Sequence, residues 1–265
     1  MRKQIVVLLS ILILFTTYVF HTSQSIPSSA EHYNSIHEGP LILVNEQYHL
    51  QAISSNLRKM PTPINKNVVV ADDIKLDGST IHALQALFKA AENDGIHHFK
   101  LNSGYRSEEE QALLYEQYGP NYALPPGFSE HQTGYAVDIG STKGIMGESS
   151  EGIWLANHAH QYGFILRYPA HKIALTGISF EPWHFRYVGM PHSQIMFEQD
   201  FVLEEYIEHL RLGKTFSTTI NDVSYKVGYY AAEAFNKEAL EAVYTISGDN
   251  IGGYIVTTLK NTSNF

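Results

Sequence analysis

Cysteine is absent from this chain of 265 residues. That excludes disulfide staples, thiolate metal ligands, a cysteine nucleophile and lipid modification of an N-terminal cysteine. Any metal must therefore rest on nitrogen and oxygen ligands. Basic residues are scarce as well: 18 Lys and Arg stand against 27 Asp and Glu, and the resulting charge of −9 argues against nucleic acid as a partner. Long apolar runs are missing with one exception. Ile5 to Phe20, interrupted only by Ser10, Thr16 and Thr17, follows Arg2 and Lys3, the order of a basic region and an apolar core in an export signal. The run falls short of the roughly 20 residues that span a bilayer. Residues 1–21 are therefore expected to serve as a signal peptide or an N-terminal membrane anchor, with the body of the protein outside the cytoplasm.

What remains is the composition of an ordinary globular protein, 44% hydrophobic and 17% charged, long enough for one sizeable domain plus an appendage. Residues 22–40, rich in Ser, Pro, His and Glu and without periodicity, read as a tether. A domain is expected over 41–212, opening on a short strand, Leu41 to Val44. Ile81, Leu84, Leu87, Phe88 and Ala91 share one face of a helix from Ser79 to Asn93 that Asp94-Gly95 stops. A strand from Phe99 to Asn102 follows. Ser107 and Glu110 then form a capping box for a helix reaching Tyr118. Pro120, Pro125, Pro126 and Gly127 make 119–128 a loop. A helix from Glu151 to Tyr162, with His158 and His160 exposed, leads to strands Phe164 to Tyr168 and Trp183 to Val188 and a last helix, Ser193 to Leu212. Together these predict an α+β fold, a mostly antiparallel sheet with flanking helices. Residues 213–265 alternate or cluster β-branched and aromatic residues around the turn Gly248 to Gly253. They read as a small β-rich appendage outside the catalytic motifs, in which Tyr225, Tyr229, Tyr230 and Tyr244 either pack inward or form a glycan platform.

Two short segments carry the chemistry: SEHQTGYAVDIG (Ser129 to Gly140) and EPWH (Glu181 to His184). Between them they supply two histidines, an aspartate and a further glutamate. That is the inventory of a hydrolytic zinc site, with three protein ligands, an open fourth position and a carboxylate to take a proton from water. Gly134 permits a tight turn. After it, Tyr135, Val137 and Ile139 alternate with Ala136 and Asp138, so Asp138 points away from the apolar face of a strand. Trp183, Phe185 and Tyr187 likewise alternate with His184 and Arg186. Strict alternation puts Glu181 opposite His184, but Pro182 breaks strand pairing and leaves the position of Glu181 open.

SGYRS (Ser103 to Ser107), SEHQTGYAVDIG and EPWHFRYVG (Glu181 to Gly189), in that order, resemble the zinc D-alanyl-D-alanine carboxypeptidases of the VanY type. LVN (Leu43 to Asn45), Gln111 and GFILRYP (Gly163 to Pro169) extend the resemblance across roughly residues 41–189. It implies one zinc held by His131, Asp138 and His184, with Glu181 as catalytic base and Arg106 steadying the scissile carbonyl. Ser129 and Gln111 match positions near the substrate, and Arg167 and Tyr168 are further candidates to receive its terminal carboxylate. The implied reaction is removal of the terminal D-Ala from peptidoglycan stem peptides at the cell wall, in wall remodelling or glycopeptide resistance. A D,D-dipeptidase or an L,D-carboxypeptidase on the same fold is the alternative within the family. A wall-binding zinc module without catalysis is the alternative outside it.

Overall fold

The computed structural model describes residues 32–120 and 122–260, so the expected signal or anchor segment, 1–21, lies outside the described residues. The fold is α+β. A five-stranded sheet forms its centre, in the order β2 (Val68–Val70), β4 (Phe99–Ser103), β5 (Ala136–Ser141), β7 (His184–Tyr187), β6 (Phe164–Leu166). Only the β2–β4 pair is parallel. A small two-stranded sheet, β1 (Leu57–Lys59) with β3 (Lys75–Asp77), precedes the first helix.

That helix, α1 (Gly78–Asn93), starts where the Asp77 carboxylate accepts from Ser79 N at 2.8 Å, and it buries Ile81, Leu84, Leu87, Phe88 and Ala91. These residues meet Phe99 and Leu101 of β4, Val137 and Ile139 of β5, and Phe185 of β7 in one apolar core. Alternation then turns Asp138 and His184 to the other face of the sheet. α2 (Glu108–Tyr118) begins with both bonds of its capping box, Glu110 N to Ser107 Oγ at 3.2 Å and Ser107 N to Glu110 Oε2 at 2.7 Å. It buries only Gln111. Caps and that one side chain, not an apolar stripe, hold it in place.

Beyond α3 (Ser150–His158) and α4 (Ile173–Thr176), the chain reaches α5 (His192–Gln199) and α6 (Leu203–Arg211). The expected single helix over 193–212 is thus two, parted at Asp200, which takes a left-handed conformation with φ 51°. α6 buries Leu203, Tyr206, Ile207 and Leu210, the i, i+3, i+4, i+7 spacing of one helical face. That face meets the last sheet, all antiparallel and ordered β10 (Val243–Gly248), β11 (Gly253–Leu259), β9 (Val223–Ala231), β8 (Phe216–Ile220). Val227 and Ile255 share a second core with Leu41, Leu43, Ile165, Val188 and α6. The β-rich tail is therefore joined to the rest through common apolar packing.

Other differences have the same non-local cause. Residues 32–40 lie along the last sheet: Tyr33 N donates to Ile246 O at 3.2 Å, Gly248 N to Glu38 O at 2.8 Å and Asn250 N to Ile36 O at 2.7 Å. Leu41 to Val44 form no strand; they are buried in the second and third cores, and Leu43 N donates to Asp249 O at 3.1 Å. Tyr225 and Tyr244 are buried against each other, with ring centroids 5.4 Å apart, so the tail's tyrosines present no common platform. His160, expected at the surface, is 7% exposed and stacks on Phe197 of α5 at 3.6 Å between centroids. Among the described residues no helix is long and apolar enough to cross a membrane.

Candidate active site

The two motif segments become neighbours because β5 and β7 pair antiparallel with Asp138 opposite His184, while Ser103 at the end of β4 faces Asp138 from the other side. His131 arrives from a 3-10 turn, Glu130–Thr133, closed by Gly134 in the left-handed conformation at φ 82°. A side chain at Gly134 would be strained by that φ and would place its Cβ 2.6 Å from Leu57. His131 Nδ1 lies 2.7 Å from Gly104 O. Donating there, the ring presents Nε2 to Asp138 Oδ2 at 3.4 Å. His184 presents Nδ1 to Asp138 Oδ1 at 3.2 Å. One ligand atom from each of the three residues lies within 4.8 Å of the others. The two imidazoles stand edge to face with centroids 4.9 Å apart.

This cluster fits a zinc ion. Asp138 Oδ1 is buried and has no hydrogen bond of acceptable geometry despite the nearby His184 nitrogen, as expected of an oxygen aimed at a cation and not at an N–H. Two imidazole nitrogens and one carboxylate oxygen are also a common donor set for this metal. Burial by itself raises the Asp138 pKa, but the imidazoles of His131 and His184 beside it overcome this and hold the carboxyl well below the usual range. Burial disfavours a charged His184, yet the carboxylates of Asp138 and Glu130 on either side of the ring push its pKa up to about 9, and a cation bound at Nδ1 takes the place of that proton.

Glu181 and Arg106 approach this three-residue cluster. Glu181 N donates to Tyr168 O and His184 N donates back to Glu181 O, each at 3.1 Å, so the Glu-Pro-Trp stretch is a turn and not a strand. That turn carries the Glu181 carboxylate to the same side as His184, with Oε2 3.7 Å from Nδ1. Its side chain keeps 29% exposure, and burial of the remainder raises its pKa against the opposing pull of His184. Arg106 places one terminal nitrogen 3.6 Å from Asp138 Oδ2 and donates through the other to Gln111 Oε1 at 3.0 Å.

The chain resembles known proteins in sequence and in structure. Residues 73–190 match the family model VanY, D-alanyl-D-alanine carboxypeptidase. A D-alanyl-D-alanine carboxypeptidase of Enterococcus faecium is 40% identical over 235 residues, which are 86% of this chain and 78% of that protein. The chain belongs to the VanY family. Among solved structures, the vancomycin-resistance D,D-dipeptidase VanXYg in complex with a D-Ala-D-Ala phosphinate analogue superposes with a TM-score of 0.70 at 31% identity, covering 85% of this chain and 95% of that one. A variant of the vancomycin-resistance D,D-pentapeptidase VanY in complex with Zn(II) gives a TM-score of 0.51 at 31% identity, covering 64% and 99%.

The remaining expected contacts divide unevenly in this VanY-family site. Ser129 is buried at the start of the ligand-bearing turn, its carbonyl accepting from Gln132 N at 3.1 Å. Gln111 spends its amide on Arg106 and on Leu124 O, 2.7 Å away, and so orients the arginine against the proline-rich loop. Tyr168 is buried with its ring 4.9 Å from that of His184. Arg167 is not a substrate clamp. It is fully buried, donating to Glu130 Oε1 at 2.8 Å and to both oxygens of Glu204 at 2.8 and 2.7 Å. Glu130, without a role among the sequence motifs, is the buried carboxylate that accepts from Arg167 and Arg186 and faces His184 Nε2 at 3.2 Å. Its signal was indirect: GFILRYP and HFRYVG each hold an arginine among large apolar residues, and a buried guanidinium demands a carboxylate.

Proposed function

We propose that this protein removes the terminal D-alanine from peptidoglycan stem peptides ending in D-Ala-D-Ala, acting outside the cytoplasm at the cell wall. It is a zinc carboxypeptidase of the VanY family. The observation that carries the catalytic reading is Glu181, a carboxylate left free of the three-residue cluster, close to it and partly open to solvent; the substrate is read from the likeness to D-alanyl-D-alanine carboxypeptidases. A purely structural zinc site has no use for such a group.

His131, Asp138 and His184 would hold the metal, and zinc, when bound, would polarise a carbonyl and bring the pKa of water toward about 7. Glu181 receives the proton of the attacking water and returns it to the departing D-alanine amine. Its raised pKa suits both halves of that transfer. Arg106, with a terminal nitrogen 3.6 Å from Asp138 Oδ2, stabilises the negative charge that grows on the carbonyl oxygen. Gln111 keeps the guanidinium from turning into the loop. Export rests on Arg2, Lys3 and the apolar run after them; the segment is either cleaved or retained as a membrane anchor. Fractionation of cells producing the full chain tests this, and recovery in the cytosol alone would refute it.

Similarity to the D,D-dipeptidase VanXYg favours a second reading, cleavage of free D-Ala-D-Ala. Mass spectrometry after incubation with pentapeptide, tetrapeptide and the dipeptide separates the cases. The expected product is tetrapeptide plus one D-alanine from the pentapeptide. Cleavage of the dipeptide alone would establish the second reading, cleavage of the tetrapeptide alone an L,D-carboxypeptidase, and inertness toward all three the non-catalytic module.

A further inference from the structure

Glu130, Arg167 and Arg186 meet directly behind the ligand cluster, and all three side chains are wholly excluded from solvent. The two oxygens of Glu130 are divided between tasks. Oε1 accepts from Arg167 Nε at 2.8 Å and from an Arg186 terminal nitrogen at 2.9 Å. Oε2 is left to His184 Nε2, 3.2 Å away. Neither arginine is free to swing. Arg167 is forked onto Glu204 of α6, and Arg186 donates to Pro40 O at 2.9 Å and Ile42 O at 3.0 Å.

This arrangement bears on which ring nitrogen of His184 can serve a metal. A neutral imidazole has one N–H and one lone pair, and a carboxylate can only accept. With Oε2 in front of Nε2, the proton is drawn to Nε2, and the lone pair is left on Nδ1, the atom that faces Asp138. His131 is held from behind by Gly104 O through the opposite nitrogen. The two histidines thus reach the cluster through different ring atoms, each selected by the acceptor at its back. We propose that Glu130 is a positioning residue of the metal site: it fixes the ring and tautomer of His184, and Arg167 and Arg186 hold Glu130 in the orientation that does so. The inference rests on the zinc-peptidase reading for the identity of the metal, and on this chain's own contacts for the role of Glu130.

Glu130→Gln tests it with little change of shape. The two arginines can only donate, so they turn the oxygen of the substituted amide toward themselves and leave its NH2 facing His184 Nε2. That reverses the preferred tautomer and places a proton on Nδ1, where the metal must bind. The expected result is zinc affinity weaker by about 10- to 100-fold, read by competition with a chromogenic chelator. Glu204→Gln is the matched control: it weakens the fork on Arg167 but leaves the Glu130–His184 contact in place. It is expected to lower the melting temperature while keeping zinc affinity within about twofold of wild type, since losing an outer partner of the ligands costs affinity only when it acts on the ligand itself. A folded Glu130→Gln protein that binds zinc as tightly as wild type overturns the inference, as does an equal affinity loss in Glu204→Gln. Should Glu130→Gln fail to fold, nitrogen-15 NMR of the histidine rings in the zinc-loaded wild type decides: a proton on Nε2 and metal on Nδ1 of His184 support the inference, and the reverse refutes it. Wild-type protein that binds no zinc would instead overturn the zinc-peptidase reading itself, an outcome distinct from any of these.

Discussion

Glu181 and His184 lie three positions apart, and on the proposed reading they have opposite jobs: one stays off the metal to move protons, the other holds it. Glu181→Gln keeps the size of the side chain and removes its basicity. It is expected to retain one zinc per chain and to lose about 100- to 10,000-fold in kcat on pentapeptide, the usual scale for a lost proton shuttle. Turnover near the wild-type rate would remove Glu181 from the mechanism. As proposed, Arg106 acts on charge that is present mainly in the transition state, so Arg106→Ala should lower kcat and kcat/KM together, with KM little changed. Arg106→Lys should restore little, because an ammonium cannot contact Gln111 and the developing oxyanion at once as the planar fork does. A change confined to KM would recast Arg106 as a clamp for the substrate carboxylate.

At the scale of elements, His192 is the joint between α5, α6 and the last sheet. Buried, it meets the Tyr206 hydroxyl through Nδ1 at 2.7 Å and the Thr257 hydroxyl through Nε2 at 3.2 Å. Burial pulls its pKa down from 6.5 to about 3. The folded form therefore refuses a proton that the unfolded chain accepts below pH 6.5, so the unfolded state binds more protons between about pH 6.5 and 3. Stability contributed here is complete above pH 6.5 and falls as the pH drops through that window. Urea unfolding at about pH 7 and about pH 5 of wild type and His192→Gln isolates the effect. The stability difference between the two proteins should move by about 2 kcal/mol against wild type on going to about pH 5. A difference that does not depend on pH would mean that the folded protein takes up the His192 proton as readily as the unfolded chain does.

For the whole molecule, the second core makes the tail part of the stability of the metal site's supports. Removing residues 215–265 takes away Val227 and Ile255 and bares Leu41, Ile165 and the apolar face of α6, at about 25 cal/mol for each Å² of apolar surface returned to water. It also strips 32–40 of its backbone partners on β10. The truncated protein is expected to melt well below the full chain or not to fold, as followed by circular dichroism, and to lose peptidase activity in step. A truncate with the wild-type melting temperature and undiminished hydrolysis of a soluble peptide would show that the catalytic unit ends at α6.

The chain by itself determined the ligand chemistry, because nitrogen and oxygen donors are properties of residue type and no thiol is present. It also determined the local elements that carry those donors: the apolar face of α1, the capping box of α2, and the alternation that turns Asp138 and His184 away from the core are all written within a few residues of one another. Tertiary structure decided the rest. The side on which Glu181 lies depended on a turn anchored to Tyr168. The occupation of Arg167 and the role of Glu130 depended on partners 37 and 56 residues away in the chain, and the joining of the tail on a core assembled from Leu41 to Ile255. The physical reason is common to all of them. Backbone preferences and side-chain periodicity act locally, whereas the partner of a buried charge and the cover of an apolar face are chosen by whichever distant segment folding brings against them.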